Sequence, residues 1–105
     1  MADESAQIIA EWHRLALSDD ERKRALAARL LTEPVALRYF PHFSHAGLHV
    51  SRNATPPRDA SHLPWILTDT ADGSYAAIDG NLTTRGSGHL DEAVEAFLAM
   101  LRSVK

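Results

Sequence analysis

Apolar positions recur at helical spacing at both ends of the chain and at strand-like spacing between them. Ile8, Ile9, Trp12, Leu15 and Ala16 fall three or four residues apart, with Glu4, Glu11 and Arg14 off the stripe, which predicts an amphipathic first helix. Leu26, Ala27, Leu30 and Leu31 form a second such stripe. Ahead of it, Ser18-Asp19-Asp20-Glu21 has the form of a capping box, in which the serine accepts an amide proton and the glutamate reaches back. Pro34 breaks the pattern. Val35 to Phe40 then fits either a short third helix capped by Thr32 or a strand with Val35, Leu37 and Tyr39 alternating. The helix is the preferred reading, with Pro41 as its end.

From here the period changes to two. His45 to Ser51 reads as a strand with Ala46, Leu48 and Val50 on one face and His45, Gly47 and His49 on the other. A proline-rich loop, Arg52 to Pro64, leads to the apolar strand Trp65 to Thr68. Asp72-Gly73 turns the chain into Tyr75 to Ile78, and Asp79-Gly80-Asn81 turns it again into Leu82 to Arg85. Leu90, Ala93, Val94, Phe97, Leu98 and Leu101 then mark a last helix, with Asp91 and Glu92 in its first turn and Arg102 and Lys105 at its end, as the helix dipole prefers. Short connections between the strands require antiparallel neighbours. The pattern predicts one α+β domain over residues 1–105. Its parts are two or three helices within 1–40, an antiparallel sheet of three or four strands within 45–85, and a C-terminal helix over 89–103 packed on one sheet face. The other face, with His45 and His49, is left for solvent or an interface.

Composition agrees with one self-sufficient core. The chain has 105 residues, 45% hydrophobic and 24% charged, which excludes a disordered or membrane-spanning protein. It has no cysteine, so disulfides, thiolate metal sites and cysteine nucleophiles are excluded. The opening stretch carries acids and lacks the apolar run of a signal peptide, so the expected location is cytoplasmic, with no membrane partner. A net charge of -3 is too mild for a strongly electrostatic nucleic-acid binder.

Candidate chemistry is sparse. His42, His45 and His49 are three imidazoles within one short segment, a composition that suits a metal. On an extended strand, however, His45 and His49 stand about 13 Å apart, and one ion cannot bridge them unless the chain folds back. Arg85-Gly86-Ser87-Gly88-His89 resembles a phosphate-cradling turn, but Asp91 and Glu92 oppose an anion there, and a strand-to-helix turn is the preferred reading. Asp69, Asp72 and Asp79 lack calcium-loop spacing and read as turn residues. Ser44-His45 and Ser61-His62 are adjacent in sequence, which does not align a hydroxyl with its base. Arg14, Arg22, Lys23, Arg24 and Arg29 are interleaved with acids and read as a solvated helix face.

What remains is a binding module. The expectation is a small non-enzymatic protein that acts by protein–protein contact, as inhibitors, immunity or antitoxin-type factors and accessory regulators do. It has no cofactor and no metal, and either a distinct protein or a second copy of itself is its partner. The candidate binding residues are His45, His49, Trp65, Tyr75 and Arg85, aromatic and cationic types favoured at contact hot spots. A second reading makes the His42–His49 segment a small-molecule, metal or catalytic site beside the proline-rich loop. A third, in which nucleic acid binds the basic face of the second helix, is not favoured.

Overall fold

The structure is a computed structural model and describes residues 4–53, 59–60, 63–81 and 83–104. Its elements are α1 (Glu4–Leu15), α2 (Glu21–Leu30), a single 3-10 turn (Ala36–Arg38), β1 (Phe40–Phe43), β2 (Gly47–Ser51), β3 (Trp65–Leu67), β4 (Tyr75–Ile78), β5 (Thr84–Gly88) and α3 (Leu90–Ser103). The strands form one antiparallel sheet in the order β1-β2-β3-β4-β5, each paired with its neighbour in the chain. The α+β class and the α3-covered sheet are as expected.

The sheet has five strands rather than three or four. The additional one is β1, which carries Pro41 inside it instead of ending before it. β1 is an edge strand, where a missing N–H is tolerated. Val35 to Phe40 contains both of its readings in turn, a 3-10 turn and then the first residue of β1. β5 is displaced as well. It runs over Thr84–Gly88, so the Gly-Ser-Gly segment read as a turn is an edge strand; Leu82, its expected start, lies outside the described residues. Glycine is a poor strand former, but here it is a packing requirement: a Cβ on Gly86 would stand 2.6 Å from the Cβ of Ala96 on α3.

The cap of α2 also differs from the expected box. Asp20 caps the helix, its Oδ1 accepting from the amides of Arg22 at 3.0 Å and Lys23 at 3.2 Å, while Ser18 Oγ accepts from the Asp20 amide. The Thr32 hydroxyl donates back to the Arg29 carbonyl and so closes α2 rather than opening a third helix. The expected turns hold. Asp72 Oδ1 accepts from both the amide and the hydroxyl of Ser74, beside Gly73 at φ +79°, and Asp79 Oδ1 accepts from the amides of Asn81 and Thr83.

One cluster unites the helices with one sheet face. Trp12, Leu26, Leu30, Val94, Phe97, Leu98 and Leu101 pack against Leu48, Val50, Ile66 and Ala77. The sheet members alternate with residues of the opposite face, as the pleat requires. α3 lies over β3, β4 and β5, and α1 lies against β1 and α2. Among the described residues, no helix covers the face carrying His42, His49, Trp65 and Ile78.

Basic residues of α2 secure this sandwich. The Arg22 guanidinium donates to the carbonyls of Thr68, Gly73 and Ser74 and sits 4.6 Å from the Tyr75 ring centroid. Lys23 Nζ donates to the Ser44 carbonyl at 3.0 Å. Arg29 pairs with Glu33, Asp91 and Glu95 and is held above its ordinary pKa, the bond to Glu33 contributing most. Among the described residues, no helix is long and apolar enough to cross a membrane.

Candidate functional site

The helix-free face is organised around the β1–β2 hairpin. The Ser44 amide donates to the Gly47 carbonyl at 2.8 Å, closing a turn over Ser44, His45, Ala46 and Gly47. That reversal sets His42 directly opposite His49, so the chain does fold back, but it brings together a different pair from the one judged by strand spacing. His42 and His49 stack at 5.2 Å between ring centroids and 18° between planes. His49 and Trp65 stack in turn at 4.6 Å and 14°. Three rings from three adjacent strands thus form a half-exposed row across the sheet. Beyond it, Ile78 stands opposite Trp65, and Leu67 stands opposite Gly47 on one side and Ala76 on the other.

Ser44 fixes the end of the row. Its Oγ and His49 Nε2 share a hydrogen bond of 2.8 Å, and the Gly47 amide donates to the same Oγ at 3.2 Å. A neutral ring accepting the Ser44 hydroxyl proton satisfies the whole chain of donors. The hydroxyl and imidazole are placed as in a nucleophile–base pair, yet no carboxylate bonds His49 among the described residues, and the Gly47 bond ties the hydroxyl into the turn. The pair locks the hairpin. Sequence reading missed it because it looked at adjacent Ser44-His45; the signal was a glycine three residues after the serine and a histidine two beyond that.

Burial between His42 and Trp65 pushes the His49 imidazole below its ordinary pKa of 6.5. A histidine with a lower pKa folded than unfolded leaves the unfolded chain binding more protons. Its contribution to stability is therefore complete above the unfolded value and is lost as pH falls from there towards the folded value. Denaturant unfolding from about pH 7.5 down to about pH 5 is expected to show decreasing stability. His49→Phe keeps a ring in the stack and should flatten that slope. An unchanged slope in the variant would mean that burial of His49 in the stack does not set it.

The predicted site residues separate into different environments. His49 and Trp65 meet in the stack. His45 projects from the turn, 99% exposed, with Nε2 3.8 Å from Asp69 Oδ2, away from the other two imidazoles. Tyr75 belongs to the covered face, under Arg22, and its hydroxyl donates to the Arg22 carbonyl at 3.4 Å. It does not join the open face. Arg85 sits at the irregularity where β4 and β5 slip register, its Nε donating to Asp79 Oδ2 at 2.7 Å. His42 completes the ring row. Ser61 and His62 lie outside the described residues.

The electrostatic character of the sheet is set by what its strands lack. Among the described residues, no acidic residue falls within a strand; all belong to the helices and the loops. Comparison with protein-family models, curated proteins and solved structures finds no match to this chain.

Proposed function

We propose that this protein is a non-enzymatic binding module whose helix-free sheet face docks an acidic segment of a partner protein, in the manner of an inhibitor or accessory regulator. The observation that carries the reading is the half-exposed His42–His49–Trp65 row on strands that, among the described residues, hold no acid. Flat rings supply contact area at small entropic cost, and the imidazole edges offer donors to carboxylates. The absence of carboxylates on the described strands leaves no like charge there to repel an acidic segment. A phosphate backbone would ask for a row of free cations, whereas Arg22, Lys23 and Arg29 of α2 are engaged within the molecule and Arg85 is paired with Asp79.

The test places a carboxylate on that face at positions with little packing role. Ser87→Asp is exposed on β5, and Leu67→Asp is half-exposed beside the stack. Wild type is expected to retain one protein from nuclease-treated lysate in stoichiometric amount, with the crosslinked contact mapping to an acidic segment. Both variants should lose it while Arg24→Ala, on the helical side, keeps it. Retention by the sheet variants, loss with Arg24→Ala, release by nuclease, or no retained protein would each overturn the reading. A concentration-dependent dimer abolished by Ser87→Asp would replace the distinct partner with a second copy.

A further inference from the structure

On the helix-covered side, independent of the sheet face, a cleft of about 700 Å³ opens between the C-terminal half of α3 and the β4–β5 turn. That volume lies within the range of small-molecule sites. Its apolar wall comes from Pro64, Ala96, Met100 and Val104. The charged part of the lining holds two arginines, Arg52 and Arg85, against one aspartate, Asp79. Asp79 is already committed: it accepts from the Asn81 and Thr83 amides, each at 2.9 Å, and from Arg85 Nε at 2.7 Å. Those bonds, the Thr83 amide foremost, hold its carboxyl below the usual range. Asp79 therefore acts as an orienting group. It fixes Arg85 by Nε alone, and among the described residues no other group accepts from the terminal nitrogens of that guanidinium.

We propose that this cleft binds a small organic anion with an apolar body and a single carboxylate. The body lies on the Ala96–Met100 side of α3, and the carboxylate takes the terminal nitrogens of Arg85, a planar match of fork to carboxylate. The gap is kept open by local sequence. Gly86 lets β5 run close under Ala96, and Gly80 leaves the mouth without a side chain.

The probes are octanoate and its neutral counterpart 1-octanol, followed through the methyl resonances of Ala96, Ala99 and Met100. Octanoate is expected to shift these saturably, and octanol about tenfold more weakly. Arg85→Gln should bring octanoate down to the level of octanol. Since that change also breaks the Asp79 pair, Ala99→Asp, an exposed position on the rim, is the second variant and should weaken octanoate alone. Equal response to the acid and the alcohol, shifts centred on the His42–His49–Trp65 row, or octanoate binding undiminished in both variants would overturn the proposal. Failure here leaves the sheet-face reading standing, since the probes and the readout residues are separate.

Discussion

Replacing Trp12 by alanine is expected to cost about 3–5 kcal/mol and to lower the melting temperature by at least about 12 °C. Trp12 is fully buried where α1 meets the rest of the core, and its Nε1 donates to the Tyr39 carbonyl at 3.1 Å. The indole thus performs two jobs with one side chain. It fills the largest single volume in the core, and it satisfies the carbonyl of the residue that leads into β1. Alanine removes the packing and leaves that carbonyl with its bond unmade. Trp12→Phe separates the contributions: most of the packing stays, and the residual loss, about 1–3 kcal/mol, reports the missing bond. Since domains of this size have a total stability of roughly 5–15 kcal/mol, the alanine variant should be partly unfolded near physiological temperature. Denaturant titration followed by far-ultraviolet circular dichroism measures it, and a loss below about 1 kcal/mol would mean that α1 is not docked as described.

The second large effect comes from a single methyl group. Gly47 lies where β2 approaches β3, and a Cβ there would stand 3.0 Å from both the Ile66 carbonyl carbon and the Leu67 Cα, and closer still to the Ile66 carbonyl oxygen. The obstructing atoms are backbone, so no rotamer change relieves the clash. Among the described residues the ladder between these strands has two pairs, Gly47–Leu67 and Leu48–Ile66, extended by the Thr68 and Asp69 amides on the Ala46 carbonyl, so parting them opens the sheet between β2 and β3. Gly47→Ala is expected to cost about 3 kcal/mol or more. Gly73→Ala is the contrast. Gly73 has φ +79° but nothing within reach of an added Cβ, so the loss should be only the left-handed backbone cost of about 1 kcal/mol. If the two variants unfold alike, the close approach of β2 to β3 is not as drawn.

The contrast between these glycines also shows what the chain discloses before it folds. Asp72-Gly73 announces a turn because the requirement is local, a positive φ beside a carboxylate that bonds two residues on. The α1 and α3 stripes were legible for the same reason, since each face is written at its own period. Gly47 and Gly86 answer to partners far along the chain, the β3 backbone and Ala96, and nothing adjacent states that. β1 was hidden because Pro41 signals an end everywhere except at a sheet edge. In the candidate site, His49 and Trp65 were picked by residue type. Their meeting with His42 depends on register, which needs both the turn and the unread strand. Tyr75 was likewise picked by residue type, and its side of the pleat, shared with the core residue Ala77, follows from which strand residues the helices cover.

The strand order has a kinetic consequence. Because each strand pairs with the one beside it in the chain, no crossover has to close before the sheet can grow. Folding rate falls as contacting residues lie further apart along the sequence, so a meander belongs with the faster sheet topologies. β4–β5 and β1–β2, each joined by a short turn, can form as separate hairpins, leaving β3 to unite them through the narrow Gly47 seam. Substitutions in the Asp79–Thr83 turn or the Ser44–Gly47 turn should then slow folding, whereas those on α1 should mainly hasten unfolding.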